Sequence, residues 1–314
     1  METPPSSPEA LKKDRTLIVF VLAATVALAL PRFAHTTPDS VYYTNLLAYF
    51  QGTLPRETLQ TPFAFRWFVP ALASLLPGVS PTTALGLCSL VATMGAGFFT
   101  LKLWGHLLQG RQQLVFAMTL LVCSFPTINY GSAALTDAAG FLVLAAASWF
   151  MVGGRFYAMG AVLIIGACVR ESTLLMVPAL WLYTGLLPRP RRYVAALMVT
   201  LATLLAALAS RWYFADLPAY FWTPSWPRFL ANLTRPVSWA TVLLTLLPLL
   251  LLLCLPGKNN VPLPRPTRAY IIAMTLPCLA LMAYAMSAAF MGGRFCWPLY
   301  LPLIPLVVWR RAGL

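Results

Sequence analysis

Charged residues are scarce in this sequence. They make up 10% of its 314 residues, whereas soluble globular domains have about 25%. Hydrophobic residues make up 60%, and the mean hydropathy is +0.76. This composition excludes an ordinary soluble domain and predicts a polytopic membrane protein. The sequence also lacks an internal repeat, a low-complexity tract and a Gly-rich phosphate loop.

Acidic residues are the rarest charged type, with 8 Asp and Glu against 22 Lys and Arg, giving a net charge of +14. The basic residues stand in small clusters between apolar runs. That pattern is typical of membrane-topology signals and not of a basic stripe that follows a nucleic-acid backbone. We therefore predict no nucleic-acid partner.

Metal-binding and redox motifs are also lacking. The two histidines, His35 and His106, are predicted on opposite sides of the membrane, which excludes a two-histidine metal site. The six cysteines all fall in apolar runs and form no C-x-x-C motif, which favours buried thiols. No cofactor is predicted.

Ten uncharged or nearly uncharged runs approach the roughly 20 residues with which a helix crosses a membrane. The sequence therefore predicts an all-α polytopic membrane protein with about ten transmembrane helices. A cytoplasmic tail would occupy residues 1–15 and a single transmembrane domain residues 16–314, with a first span that is retained because no small-residue cleavage site follows it. The ten runs are 16–31, 81–101, 112–132, 134–154, 156–169, 172–188, 193–210, 236–257, 269–290 and 295–309.

The basic residues orient these spans. With both termini in the cytoplasm, 14 of the 22 Lys and Arg residues face inward, as the positive-inside rule requires. Two long outer loops remain, at 32–80 and 212–235. "YYTNLLAYF" and "FAFRWFVPALASLL" in the first loop indicate amphipathic helices that lie in the interface, and the aromatic second loop indicates a belt or a lid. Short proline-rich loops favour a bacterial inner (plasma) membrane.

The stretch 156–188 is long for one span and short for two. Only two tight spans, or a re-entrant hairpin, keep the following basic residues in the cytoplasm. Arg170 and Glu171 then lie at the turn, below the membrane surface. Such a turn is tolerated where protein shields it or where it lines a wet cavity.

All five acids beyond the N-terminal tail map to the outer side. Ionisable groups at membrane depth cost on the order of 2.5–3.5 kcal/mol each, so they indicate function. Asp39 and Asp137 are the catalytic candidates, because a carboxylate can take a proton from an attacking hydroxyl. The structural alternatives are an N-cap role for Asp39 and a first-turn role for Asp137 behind a Thr136 cap.

Arg66, Arg170, Glu171 and Arg294 are the candidates for substrate binding, since the planar guanidinium group suits phosphate oxygens. Arg66, Arg170 and Glu171 have structural alternatives. Arg66 could snorkel from an interfacial helix, and Arg170 and Glu171 could pair with other buried charges. The two glycines before Arg294 would let the backbone approach a ligand.

Several motifs carry a family resemblance. Asp39 is followed by "YYTNLLAYF" and "PFAFRWFVPAL", Asp137 lies in "LTDAAGF", and "VRESTLLMVPAL" opens a later span. Between about residues 16 and 188 the chain resembles the GT-C superfamily of integral-membrane glycosyltransferases, which includes protein O-mannosyltransferases and bacterial aminoarabinose transferases. The resemblance implies a polyprenyl-phosphate-linked sugar donor and a lipid, glycan or protein acceptor with a hydroxyl outside the cytoplasm.

The resemblance also implies residue roles. Asp39 would be the general base and Asp137 would assist in the same cavity, while Arg66, Arg170 and Arg294 would hold the lipid phosphate. Two departures stand out. Asp39 has no acidic neighbour, which does not support a metal-dependent mechanism. A soluble C-terminal domain is lacking, so the 212–235 loop or a partner would recognise the acceptor.

Two other function classes fit a charged membrane cavity. A multi-span transporter or lipid flippase is the main alternative, and a non-catalytic scaffold is the third. Transporters often have repeated halves with broken helices at the midplane. Here no repeat is found, and the ionisable groups gather at the outer ends of the predicted spans.

Overall fold

The structure is a computed structural model that describes residues 15–219, 223–257 and 262–311. This part of the chain is α-helical and contains no β-strand, which confirms the all-α class. The predicted tail at 1–15 lies outside the described residues, apart from Arg15. The α-helices are α1 (Arg15–Ala29), α2 (Ser40–Phe50), α3 (Phe68–Ala73), α4 (Pro81–Leu107), α5 (Arg111–Val122), α6 (Phe125–Tyr130), α7 (Asp137–Val152), α8 (Phe156–Val169), α9 (Met176–Leu186), α10 (Pro190–Tyr213), α11 (Trp226–Thr234), α12 (Pro236–Cys254), α13 (Arg265–Ala288), α14 (Gly293–Cys296) and α15 (Tyr300–Arg311).

Five helical segments in the described residues are long and apolar enough to cross a membrane: α1 with the turn that follows it, α4, α10, α12 and α13. The other predicted spans coincide with shorter apolar helices, including α7 and α8. The structure thus supports an integral membrane protein, and the count of ten crossings stays a prediction.

The run at 112–132 was predicted as one span, but it forms two helices, α5 and α6. The Ser124 hydroxyl accepts a hydrogen bond from the Thr127 N–H at 3.3 Å and so caps α6. Pro126 follows in the first turn of α6, where a missing N–H costs least. This cap and proline explain the break.

The stretch 156–188 consists of two short helices, as the sequence predicts. Helix α8 ends before Arg170, which is extended, and a 3-10 turn (Glu171–Leu175) leads into α9. Arg155, before α8, and Arg189, after α9, line the same cavity, so the chain returns to the end from which it started. The 14 residues of α8 span about 21 Å, less than the roughly 30 Å of a hydrocarbon core.

A recess forms because longer helices surround these short ones. The Ser89 hydroxyl of α4 donates a hydrogen bond to the Leu135 carbonyl at 2.8 Å, just before α7 begins. From Ser89 back to Pro81, α4 continues for about 12 Å at 1.5 Å per residue. The start of α7 and the end of α8 lie at this level and therefore form the floor of a recess at one end of the bundle, here called the recess end.

Arginine side chains bind helix C-termini at the opposite end, here called the basic end. Arg310 and Arg311 donate hydrogen bonds to the Leu253 and Leu252 carbonyls of α12, at 2.8 and 2.6 Å. These carbonyls have no partner within the helix, so basic side chains stabilise them. The acids in the described residues lie at the recess end, and they are Asp39, Glu57, Asp137, Glu171 and Asp216. The side of the membrane that each end faces stays a prediction.

The packing of α8 against α7 makes a testable prediction about Gly166. A Cβ atom there would lie 2.6 Å from Val143 Cγ1 and 3.1 Å from the Thr173 hydroxyl. We expect Gly166→Ala to lower the free energy of unfolding by about 1–2 kcal/mol, measured by denaturation in detergent micelles. The control is Gly185→Ala in α9, where an added Cβ meets no atom within 4 Å. Equal stability of the two variants would contradict this packing.

Candidate functional site

The six residues singled out in the sequence lie together at the recess end, where they form three ion pairs. In each pair a carboxylate oxygen lies within 2.7 Å of a guanidinium nitrogen. The pairs are Asp39 Oδ2 with Arg294 Nη1 at 2.6 Å, Asp137 Oδ2 with Arg170 Nη1 at 2.7 Å, and Glu171 Oε2 with Arg66 Nε at 2.7 Å.

These pairs join segments that are far apart in sequence. Asp39 directly precedes α2, and Arg66 ends a 3-10 turn (Phe63–Arg66) in the same loop. Asp137 is the first residue of α7, and Arg294 lies in α14. The loop after the first helix is thereby held against the floor of the recess and against the segment that precedes α15.

The three pairs interact electrostatically as one cluster. The Asp137 carboxylate attracts Arg294 and Arg66 as well as its partner Arg170. Burial lowers the pKa of Arg294, but the charges of Asp137 and Asp39 raise it by more, so this pKa lies above its ordinary value. The pKa of Arg66 also lies above its ordinary value, because the charge of Glu171 outweighs the effect of burial. The guanidinium groups of Arg66 and Arg294 therefore stay charged within the cluster.

The structure decides between the alternatives for the two aspartates. Asp39 holds the N-cap position of α2 but makes no side-chain capping bond, so the capping interpretation is wrong. Asp137 does lie in the first turn of α7, whereas the expected side-chain cap from Thr136 is not formed. Pairing with arginine, and not helix capping, accounts for both carboxylates.

The alternatives for the arginines are decided as well. Arg66 is 3% exposed, so it does not snorkel. Arg170 and Glu171 do pair with other charges, as their structural alternative predicts. A Cβ atom on Gly293 would lie 2.7 Å from the Thr241 carbonyl oxygen, so this glycine lets α14 approach α12. The expectation of an approach to a ligand is therefore corrected for Gly293, whereas Gly292 does line a cavity together with Arg294.

A cavity of about 580 Å³ adjoins the cluster. Its charged lining residues are Arg66, Arg170, Glu171 and Arg211. The rest of the lining is largely apolar and includes Leu174 before α9, Pro178 in α9 and Leu281 in α13. Its volume falls in the usual range for ligand pockets. Such a lining can hold an anionic group beside an apolar chain.

A second cavity, of about 300 Å³, is lined by Asp39 and Arg294 together with Tyr42, Tyr130 and Arg235. The Asp39 side chain is 18% exposed. Asp39 is therefore a carboxylate that a substrate can reach. We call this cavity the smaller cavity, and we call the cavity lined by Arg66, Arg170 and Glu171 the larger cavity.

Asp137 lies at the recess end but does not line a cavity, contrary to the prediction from the sequence. Its side chain is 3% exposed, and it is not among the residues that line either cavity. The expectation that Asp137 shares a cavity with Asp39 is therefore corrected. Its contact is with Arg170, which does line the larger cavity, so Asp137 acts as a positioning residue for that guanidinium group.

Sequence reasoning missed two buried polar residues of the site. Tyr43 accepts a hydrogen bond from Arg66 Nη1 at 2.6 Å, and its spacing of four from Asp39 on a helix was a usable signal. Asn232 donates hydrogen bonds to the Met286 and Ala289 carbonyls and accepts one from the Met291 N–H. It fixes the segment before Arg294, and no sequence motif marks it.

No protein-family model matches the chain, and the comparisons with curated proteins and with solved structures return no match. Among the described residues, no group of three or more His, Cys, Asp or Glu side chains could hold a metal ion. The chemistry of the site is therefore argued from its own geometry.

The buried Asp137–Arg170 pair predicts strong coupling in a double-mutant cycle. Asp137→Leu and Arg170→Met should each lower the free energy of unfolding by about 3–5 kcal/mol, because each leaves a buried charge unpaired. The double variant should lose far less unfolding free energy than the sum of the losses in the two single variants. Denaturation in micelles measures all three variants.

The control for this cycle is the exposed Arg56–Asp216 pair, whose side chains are 33% and 66% exposed. Asp216→Asn should change stability by at most about 1 kcal/mol, because water screens the pair. Additive losses in the Asp137–Arg170 cycle would contradict the coupling.

Proposed function

We propose that this protein is a membrane glycosyltransferase that moves a sugar from a polyprenyl-phosphate donor to an extracytoplasmic acceptor hydroxyl. One observation carries the proposal. A reachable carboxylate, Asp39, shares a recess with the guanidinium groups of Arg66, Arg170 and Arg294 at one end of an apolar helical bundle. Such a transfer needs a base for the acceptor and positive charge for the leaving phosphate.

The proposal includes a GT-C-like fold with about ten crossings, both termini in the cytoplasm and a bacterial inner membrane. The charge distribution supports this orientation. Basic residues without acidic neighbours gather at the basic end, and the acids of the described residues lie at the recess end. By the positive-inside rule, the basic end faces the cytoplasm and the recess opens to the other side.

The larger cavity suits the donor. Its apolar side can hold the first part of a polyprenyl chain, and Arg66 and Arg170 can hold the phosphate oxygens on its charged side. Glu171 and Asp137 keep these two guanidinium groups in place. The smaller cavity, which contains Asp39, then receives the acceptor.

The reaction follows from this arrangement. The acceptor oxygen attacks the anomeric carbon, and the bond between that carbon and the donor phosphate oxygen breaks. Asp39 takes the proton of the acceptor hydroxyl, and Arg294, 2.6 Å away, orients its carboxylate. The leaving polyprenyl phosphate gains a negative charge, which Arg66 and Arg170 stabilise.

Asp39→Asn tests the proposal. The amide cannot accept the proton, so we expect kcat to fall by about 10²- to 10⁴-fold in proteoliposomes supplied with polyprenyl-phosphate sugar and acceptor. Donor binding should remain, because Asp39 does not line the larger cavity. Asp216→Asn is the matched control and should keep full activity. Transfer by the Asp39 variant at the wild-type rate would refute the assignment.

The same proteoliposomes separate this proposal from a transporter or lipid flippase. Labelled donor placed in one leaflet reports movement across the bilayer, and product formation reports transfer. We expect transfer with no flux of the donor. Flux without product would favour the transport alternative, and neither signal would favour a scaffold.

A further inference from the structure

The smaller cavity carries an unbalanced positive charge. Asp39 and Arg294 lie in one ion pair and neutralise each other. Arg235 also lines the cavity, and within the described residues no carboxylate lies within 4.0 Å of its guanidinium nitrogens. The cavity therefore has a net charge of one positive unit.

A second guanidinium group strengthens this charge at the rim. The Cζ atoms of Arg228 and Arg235 lie 4.3 and 4.4 Å from the centroid of the Phe290 ring, and Phe290 lines the cavity. Contact with an aromatic face stabilises a cation only in part. Two like charges at one ring therefore favour a bound anion.

A buried hydroxyl without a hydrogen-bond partner lies in the lining of the same cavity. Ser238 is 4% exposed, its Oγ atom has no hydrogen-bond partner, and the residue lines the cavity. Buried polar atoms in native proteins are almost always hydrogen-bonded, so this hydroxyl can form a hydrogen bond with a ligand oxygen. Ser238 lies in the first turn of α12, where the helix dipole also favours an anion.

We infer that the smaller cavity binds a phosphate ester that also carries a hydroxyl group. Arg235 and Ser238 hold the phosphate, Arg228 adds positive charge at the rim, and the free hydroxyl of the ligand reaches Asp39. A volume of about 300 Å³ fits a group of roughly the size of glycerol phosphate. The role of this ester as the acceptor rests on the proposed function, whereas its binding does not.

Equilibrium dialysis tests the site directly. The protein is placed in nanodiscs of phosphatidylcholine, and radiolabelled glycerol 3-phosphate is the probe. We expect saturable binding that unlabelled inorganic phosphate displaces and unlabelled glycerol does not. Arg235→Gln should weaken binding about tenfold or more, because a charge-assisted hydrogen bond is lost, and Ser238→Ala by about three- to tenfold.

Two further variants keep the test independent of folding. Arg235→Lys retains the charge and should bind more tightly than Arg235→Gln. Arg268→Gln removes the same charge from an exposed position in the first turn of α13, at the basic end, and should bind like the wild type. Wild-type affinity in Arg235→Gln, or displacement by glycerol as effective as by phosphate, would overturn the inference.

The lipid composition of the nanodiscs shows whether the site takes a lipid headgroup or a water-soluble phosphate ester. In nanodiscs that contain phosphatidylglycerol, weaker glycerol 3-phosphate binding assigns the site to a lipid headgroup. Unchanged binding assigns it to a water-soluble phosphate ester.

Different results would refute the inferred phosphate site and the proposed function. Asp39→Asn should lose transfer but still bind glycerol 3-phosphate, because Arg235 and Ser238 hold the phosphate. Binding in a wild-type protein that transfers no sugar would leave the anion site standing and refute the glycosyltransferase.

Discussion

An ionised side chain within a membrane-embedded bundle needs a partner charge, because the surrounding apolar medium cannot solvate it. The three ion pairs at the recess end meet this requirement. Each pair also fixes a piece of chain, since its members come from different segments: the loop after α1, the start of α7, the break before α9, and α14. The arrangement that neutralises the charges is therefore also the arrangement that builds the site.

The depth of the site follows from helix length. Helices α7 and α8, with 16 and 14 residues, are shorter than the 27 residues of α4, so the charges on the floor lie below the rim of the bundle. At that depth the effective dielectric constant is lower than in water, and a guanidinium group interacts more strongly with a phosphate. If the proposed function holds, the arginines are thus placed where they act most strongly on the phosphate of the lipid-linked donor.

The sequence predicts much of this arrangement, because apolar runs, rare acids and basic clusters are local signals. The turn at Arg170 and the six charged residues were found in that way. The pairing of Arg66 with Glu171 was not predictable, since 105 positions separate them and only tertiary packing brings them together. Arg235 ends the aromatic 212–235 loop without a motif that marks it, and the buried Ser238 hydroxyl has no sequence signal. The number of crossings also stays open, because helices as short as α8 fall below the usual length of a span.

Sidedness is the most direct test of the account, because the recess must open away from the cytoplasm. In a cysteine-free background, Glu57→Cys marks the recess end and Arg191→Cys marks the basic end, and both positions are exposed. A membrane-impermeant maleimide applied to intact cells should label position 57, and it should label position 191 only after the membrane is permeabilised. Labelling of both positions from the same side, or of position 191 alone in intact cells, would contradict the account.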